Sequence, residues 1–206
     1  MATLDPVPAE RIAQNLAFIA LGSVYTVTLV RRRHAPAAAA AALAAASAVL
    51  VCGALSWGGG SFGVVPLLIQ LAVLTVATGG VFAAMILGHW YLVTPKLPEA
   101  PLILIARLLL AVVAVQIVLF LVWVAVGAGP AGGAPFAALG GQWALFVWLR
   151  LIVGLVFPLI VSWAAVQTAR TRSMESATGL LYIDVGSIAA GTILAAGLYF
   201  GAGILV

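Results

Sequence analysis

The chain reads as an all-α integral membrane protein, a bundle of six transmembrane helices, on the strength of three observations. Of 206 residues, 65% are hydrophobic and only 7% charged, with a mean hydropathy of +1.26. A soluble domain carries roughly a quarter charged residues, so lipid must solvate most of this exterior. The apolar residues fall into six runs, each near the ~20 residues needed to cross the hydrocarbon. Finally, the basic residues are sorted by side: Arg31, Arg32, Arg33, Lys96, Arg107, Arg170 and Arg172 alternate with the runs so that all seven lie at one face, and only Arg11 lies at the other. By the positive-inside rule that basic face is cytoplasmic and both termini are outer, or periplasmic. A single transmembrane domain over 1–206 in a bacterial inner membrane is expected.

The first helix is expected at about 12–30. Met1 to Asn15 carries Asp5 and Glu10 with two prolines and one arginine, which is no basic n-region, so a cleavable signal is not expected. The second, about 35–57, is dominated by alanine and reads as an interior helix whose small side chains allow close approach. The third, about 64–93, is overlong and must tilt or run past the lipid face. The fourth is expected at about 102–126, the fifth at 143–167 and the sixth at 177–203. The connections 57–63 and 127–142 are rich in glycine, uncharged, and expected to be surface loops; the alternative is a segment that dips back into the protein.

Cys52 is the only cysteine, which rules out an internal disulfide and a cysteine-built metal site; no metal is expected. A net charge of +4 is accounted for by the charge asymmetry of the loops and gives no reason to expect nucleic acid. Walker, zincin and nucleophile-elbow patterns are all absent, which argues against a nucleotide-driven pump or a membrane protease.

Ionisable residues inside a span are costly and count as functional candidates. Arg107 and Asp184 fall within about 3 Å of the same depth and are expected either to pair or to stand apart, with Arg107 snorkelling to the inner headgroups and Asp184 neutral, protonated through desolvation. Arg150 lies about seven residues inside the fifth helix with no acid at its depth. It is expected to face an interior cavity lined by carbonyls, to meet a lipid, a cofactor acid or another subunit, or to snorkel outward. Gly154 and Pro158 follow on nearly the same face and point to a packed or locally opened stretch.

The border stretch Met85 to Pro101 holds His89 and the aromatics Trp90 and Tyr91. His89 continues a stripe of Thr75, Thr78, Phe82 and Met85, beside a small-residue stripe of Gly80, Ala84 and Gly88 suited to close helix packing. Glu175 shares the depth of His89 and also reads as a first-turn carboxylate after a capping Ser173. Nine residues separate Glu175 from Asp184, so one rigid helix aims them to opposite sides.

A histidine, a carboxylate and surrounding aromatics suit a quinone head group, which needs a hydrogen-bond partner at each carbonyl and a proton route. The expected cofactor-binding residues are His89, Tyr182, Glu175 and Trp90. Haem b is a second possible cofactor, although only His34, in a loop, offers a second imidazole. The sequence thus points to a membrane subunit of a respiratory or other redox complex, with a quinone or haem site near the cytoplasmic leaflet and with lipids and other membrane subunits as partners. Two alternatives stand beside it: a small transporter or channel for protons or a small anion along Arg150, Arg107 and Asp184, and a non-catalytic scaffold.

Overall fold

A computed structural model describes residues 9–31, 36–58, 63–94 and 97–206. Among them there is no strand, and six long helices account for nearly all of the chain: α1 (Ala9–Val30), α2 (Pro36–Trp57), α3 (Val64–Val93), α4 (Ala100–Val126), α5 (Ala144–Arg170) and α6 (Met174–Ala202). The helix in lipid satisfies every backbone polar group internally, which is why so apolar a chain adopts it throughout. Five of the helices, α2 to α6, are long and apolar enough to cross a membrane. In α1 the apolar stretch is the shorter Asn15–Thr28, because Glu10, Arg11 and Gln14 occupy its first turns. Proline opens α2, and Pro66 and Pro101 sit in the first turns of α3 and α4, where a missing N–H leaves no bond unmade.

The chain divides into two compact units, 1–58 and 59–206. In the first, α1 packs against the alanine-rich α2. Its hydroxyls turn back on their own helix: Ser23 donates to the Ile19 carbonyl and Thr26 to that of Gly22.

The second unit holds α3 to α6. Helix α6 packs on α3 and on α5, α3 also packs on α4, and α4 on α5. One end of this unit carries the charges, with Glu99, Arg170, Arg172 and Glu175 at the helix ends; the other carries the glycine-rich connection 127–142. At the charged end, a core of Ala77, Val81, Ala84, Tyr91, Leu102, Leu109, Leu181 and Ile188 lies between the helices. At the other end the core is built on Phe120, Val147, Leu155 and Leu198, with Leu67, Trp123 and Tyr199 beside it.

The uncharged connection folds back onto its helices and is no loose surface loop. Gly127 ends α4 and Gly203 ends α6, both in the left-handed conformation that favours glycine. Ala131 N–H then donates to the Gly203 carbonyl at 3.2 Å, Leu205 N–H to that of Ala128 at 2.9 Å, and Phe136 N–H to that of Val124 at 2.9 Å. Beneath this layer the Gln70 amide donates to the Val206 carbonyl at 2.8 Å and accepts from the Trp123 indole at 3.2 Å. With no charged side chains to hold it in water, the segment satisfies its backbone against the bundle.

Candidate functional site

Two sets of polar side chains stand out in the second unit, one buried on the α5–α6 seam and one at the charged end of the α3–α6 seam. The buried set begins with a backbone defect. Pro158 has no N–H, so the Gly154 carbonyl, four residues earlier, has no ordinary helical donor. Over Ile152–Val156 the helix widens to a π-turn, with Phe157 N–H bonding back to the Ile152 carbonyl. Arg150 fills the polar gap. Its Nη1 donates to the Gly154 carbonyl at 3.2 Å and its Nη2 to Oε1 of Gln116 on α4 at 2.8 Å. The side chain is only 1% exposed, and its Nε has no protein partner. Among the alternatives read from the sequence, the structure selects the interior one: carbonyl oxygens hold Arg150, and it does not reach outward.

Room for the guanidinium comes from glycine. A Cβ on Gly191 of α6 would stand 2.6 Å from the Gly154 Cα and 2.7 Å from Arg150 Nη1. The two backbones therefore touch, and the arginine lies along their contact.

Seven residues before Gly191, on the same face of α6, is Asp184, with no exposed surface. Its Oδ2 accepts from the Ser162 hydroxyl of α5 at 2.5 Å, while Oδ1 has no partner. The Ser187 hydroxyl donates to the Asp184 backbone carbonyl at 3.1 Å. Arg107 does not join it. That residue is exposed on α4, whose buried line runs through Leu102, Ala106, Leu109, Val113 and Gln116. Depth arithmetic gave the two residues one height but not one azimuth, so the expected pair is not formed. Among the described residues the one ion pair is between Arg172 and Glu99, at the charged end.

At that end Arg172 adopts a left-handed backbone in the tight turn between α5 and α6, and its guanidinium reaches Glu99 before α4. Tyr91, buried, gives its hydroxyl to the Pro98 carbonyl. Ser173 occupies the N-cap position of α6 but bonds the Ser176 hydroxyl at 3.0 Å and makes no cap to the backbone. Glu175, exposed in that first turn, borders a shallow cleft with Tyr91, Leu92, Arg172, Ser173 and Met174. Seven residues on, and so on the same face, Tyr182 places its Oη 3.4 Å from Nδ1 of His89 on α3, a long contact for a hydrogen bond. His89 and Tyr182 are both exposed, and Trp90, 61% exposed, turns to the outer surface.

The structure thus brings His89 and Tyr182 together, with Glu175 two turns away on the same face. It separates Asp184 from them on the buried side of α6, as the nine-residue spacing requires. The small stripe of α3 is a packing face at Ala84 and Gly88; a Cβ on Gly88 would meet Thr178 Oγ1 of α6 at 2.9 Å, and that hydroxyl has no hydrogen-bond partner. His34 lies outside the described residues, as do Arg32, Arg33 and Lys96. No group of three metal-ligating side chains occurs among the described residues.

Several partners went unread in the sequence: Gln116, Gly191 and Ser162 around the two buried charges, and Gln70 against Trp123. The two glutamines carried a usable signal, being amides inside otherwise apolar runs, Gln70 in the second turn of α3 and Gln116 near the middle of α4. An amide in hydrocarbon is costly without a partner, and Gln116, ten residues from the end of α4, lies at about the depth of Arg150. Comparison with protein-family models, with curated proteins and with solved structures found no match to this chain.

Proposed function

We propose that this chain is the integral subunit of a redox assembly in a bacterial inner membrane, and that His89 and Tyr182 take the head group of a quinone arriving through the surrounding lipid. The carrying observation is the 3.4 Å approach of His89 Nδ1 to Tyr182 Oη on an exposed seam between two helices. An imidazole and a phenol side by side offer two hydrogen-bonding groups to one ring carbonyl, and both open toward lipid, the phase in which a quinone travels. Glu175, two turns along α6 and exposed, supplies a carboxylate between that seam and water. Trp90 offers an apolar ring at the same level. By the positive-inside rule this end faces the cytoplasm. Haem b would have His89 as its single axial ligand among the described residues. The exposed apolar faces of α3 and α4 suit lipid or neighbouring membrane subunits.

A second reading, a small transporter or channel for protons or an anion, draws on Arg150 and Asp184, two ionisable residues wholly inside the bundle.

The test is purification from the native membrane with whatever chains accompany the protein, followed by quinone extraction and a search for a Soret band. Bound quinone is expected in the wild type and, with one hydrogen bond of ~1–1.5 kcal/mol removed, about tenfold weaker retention in His89→Ala or Tyr182→Phe. Absence of quinone and of haem, together with ion flux in proteoliposomes, would replace this reading with the second. Inertness in both assays would leave a scaffold.

A further inference from the structure

We infer that Asp184 is an internal proton-exchange site, built on the carboxyl–hydroxyl pair it forms with Ser162 and standing two turns from the fixed charge of Arg150. This stands apart from the quinone reading, since Asp184 lies on the opposite side of α6 from Tyr182.

Four observations lead there. Asp184 has no exposed surface, yet only one of its two oxygens has a partner, the Ser162 hydroxyl, at 2.5 Å. An ionised carboxylate offers about four lone-pair sites and a single donor leaves most of them unmet; a carboxyl that carries a proton instead donates to the Ser162 oxygen and needs far less. The serine can serve either form, because its hydroxyl both donates and accepts. The site therefore accommodates proton gain and loss with no more than a rotation of one hydroxyl.

The seam is also asymmetric. Toward the charged end, Asp184 is followed by Ala165 and Ala169 on α5 and by Leu181 and Ala177 on α6, all buried in the apolar core and none carrying a charge. Toward the other end the backbones of Gly154 and Gly191 touch and the Arg150 guanidinium lies across them. A hydrated proton meets a fixed positive charge there, an arrangement that repels cations.

Finally, Arg150 is the only other buried charge among the described residues. Of the ionisable groups on the helices packed around Asp184, His89, Arg107, Arg170, Glu175 and Tyr182 are exposed. Tyr91 bonds the Pro98 carbonyl, and Tyr199 lies fifteen residues further along α6. The guanidinium, at the level of Gly191, stands two turns from Asp184, about 10 Å along the axis. It acts on the carboxylate through space, without a contact.

The step is a simple exchange: a hydronium ion gives up a proton and becomes water, the Asp184 carboxylate takes that proton, and in the reverse step the carboxyl returns it to water. The experiment is infrared spectroscopy of the full chain in lipid bilayers, in H2O and D2O, across a range of pH. The expected result is a carbonyl band of a protonated carboxyl that is lost in Asp184→Asn, moves in D2O, and disappears reversibly as pH rises while the helical amide band persists. Ser162→Ala, which keeps the carboxyl, shifts that band and secures the assignment should Asp184→Asn fail to fold. In Arg150→Gln the proton is held on the order of tenfold more tightly, the effect of one charge removed at that distance at an effective dielectric constant of about 20. Lack of such a band at every pH at which the helices persist would overturn the inference, and so would a band that neither exchanges in D2O nor titrates.

Discussion

Substituting Gly191 by alanine puts the packing of α5 on α6 to its hardest test. The new methyl would stand 2.6 Å from the Gly154 Cα, 2.9 Å from the Gly154 carbonyl oxygen and 2.7 Å from Arg150 Nη1. Two of these three neighbours are backbone, so no rotamer change clears them; the helices must separate or the π-turn must shift. Overpacking of a tight interior costs about 1–3 kcal/mol, and separating the helices also lengthens the hydrogen bonds of a buried guanidinium, so the upper part of that range is expected. For a chain of this size each kcal/mol lowers the melting temperature by about 2–4 °C, which puts the expected loss near 4–12 °C. The assay is thermal unfolding followed by circular dichroism in a mild detergent. Helix α6 supplies its own controls: Gly179, Gly186 and Gly197 have nothing within 4 Å of an added Cβ. Alanine there is expected to be neutral or to stabilise by up to about 1 kcal/mol, the helix-propensity gain. One chemical change on one helix should thus give opposite signs. Equal stability of Gly191→Ala and Gly179→Ala would refute the contact of α5 with α6 and, with it, the pocket drawn around Arg150. Combining Gly191→Ala with Arg150→Leu should restore only part of the loss, because the backbone contact remains.

Gln116→Leu removes the acceptor of Arg150 Nη2 and is expected to destabilise by about 1.5–3 kcal/mol, the usual value for a hydrogen bond to a charged group; the double variant Gln116→Leu with Arg150→Leu should be more stable than Gln116→Leu alone, since no buried charge is left short of a partner. A double variant as unstable as the single one would show that Arg150 does not depend on Gln116. At the charged end, Glu99→Gln is expected to change stability by less than about 1 kcal/mol, because the Arg172 side chain it meets is mostly exposed. A larger loss in the same melting assay would mark that pair as structural.

Helix number and extent were legible because hydropathy is an averaged property. The expected starts and stops fall within a few residues of the observed ones, the largest difference being three residues, at the first residues of α1 and α6 and the last of α5. Prolines in the first turns of α2, α3 and α4 and glycines after α4 and α6 punctuate the same runs locally. What was not legible was azimuth. Arg107 and Asp184 share a height, but the side of α4 that turns inward is chosen by neighbours such as Leu102 and Leu109, and α4 is apolar all round. A helix without a polar face gives no rotational signal. The same blindness hid Gly191, one of several glycines on α6, of which only this one meets a backbone. His89 and Tyr182 fared better because each stands near a span end, where the aromatic and basic residues fix the depth and leave few neighbours to choose among. The π-turn was half visible: Gly154 and Pro158 announced an irregular stretch, and the donor that repairs it, Arg150, was noted without the connection between them.

Helix α6 shows why fold and candidate chemistry are hard to separate in such a chain. It is the least apolar of the five spans, and its polar and small residues each meet a different neighbour: Thr178 lies against Gly88 of α3, Asp184 bonds Ser162 of α5, Gly191 touches Gly154, and Thr192 lies 3.2 Å from Thr78 of α3. In lipid, apolar surface gives helices no reason to prefer one partner over another, so close backbone approach and interhelical hydrogen bonds must specify the arrangement. Thr78 with Thr192, and Gly154 with Gly191, meet that need without any ionisable group. A carboxyl adds nothing to specificity that a second threonine would not supply at lower desolvation cost. The presence of Asp184 in the one seam already held by a glycine contact is therefore not explained by packing, and that surplus is the physical reason to seek a proton on it.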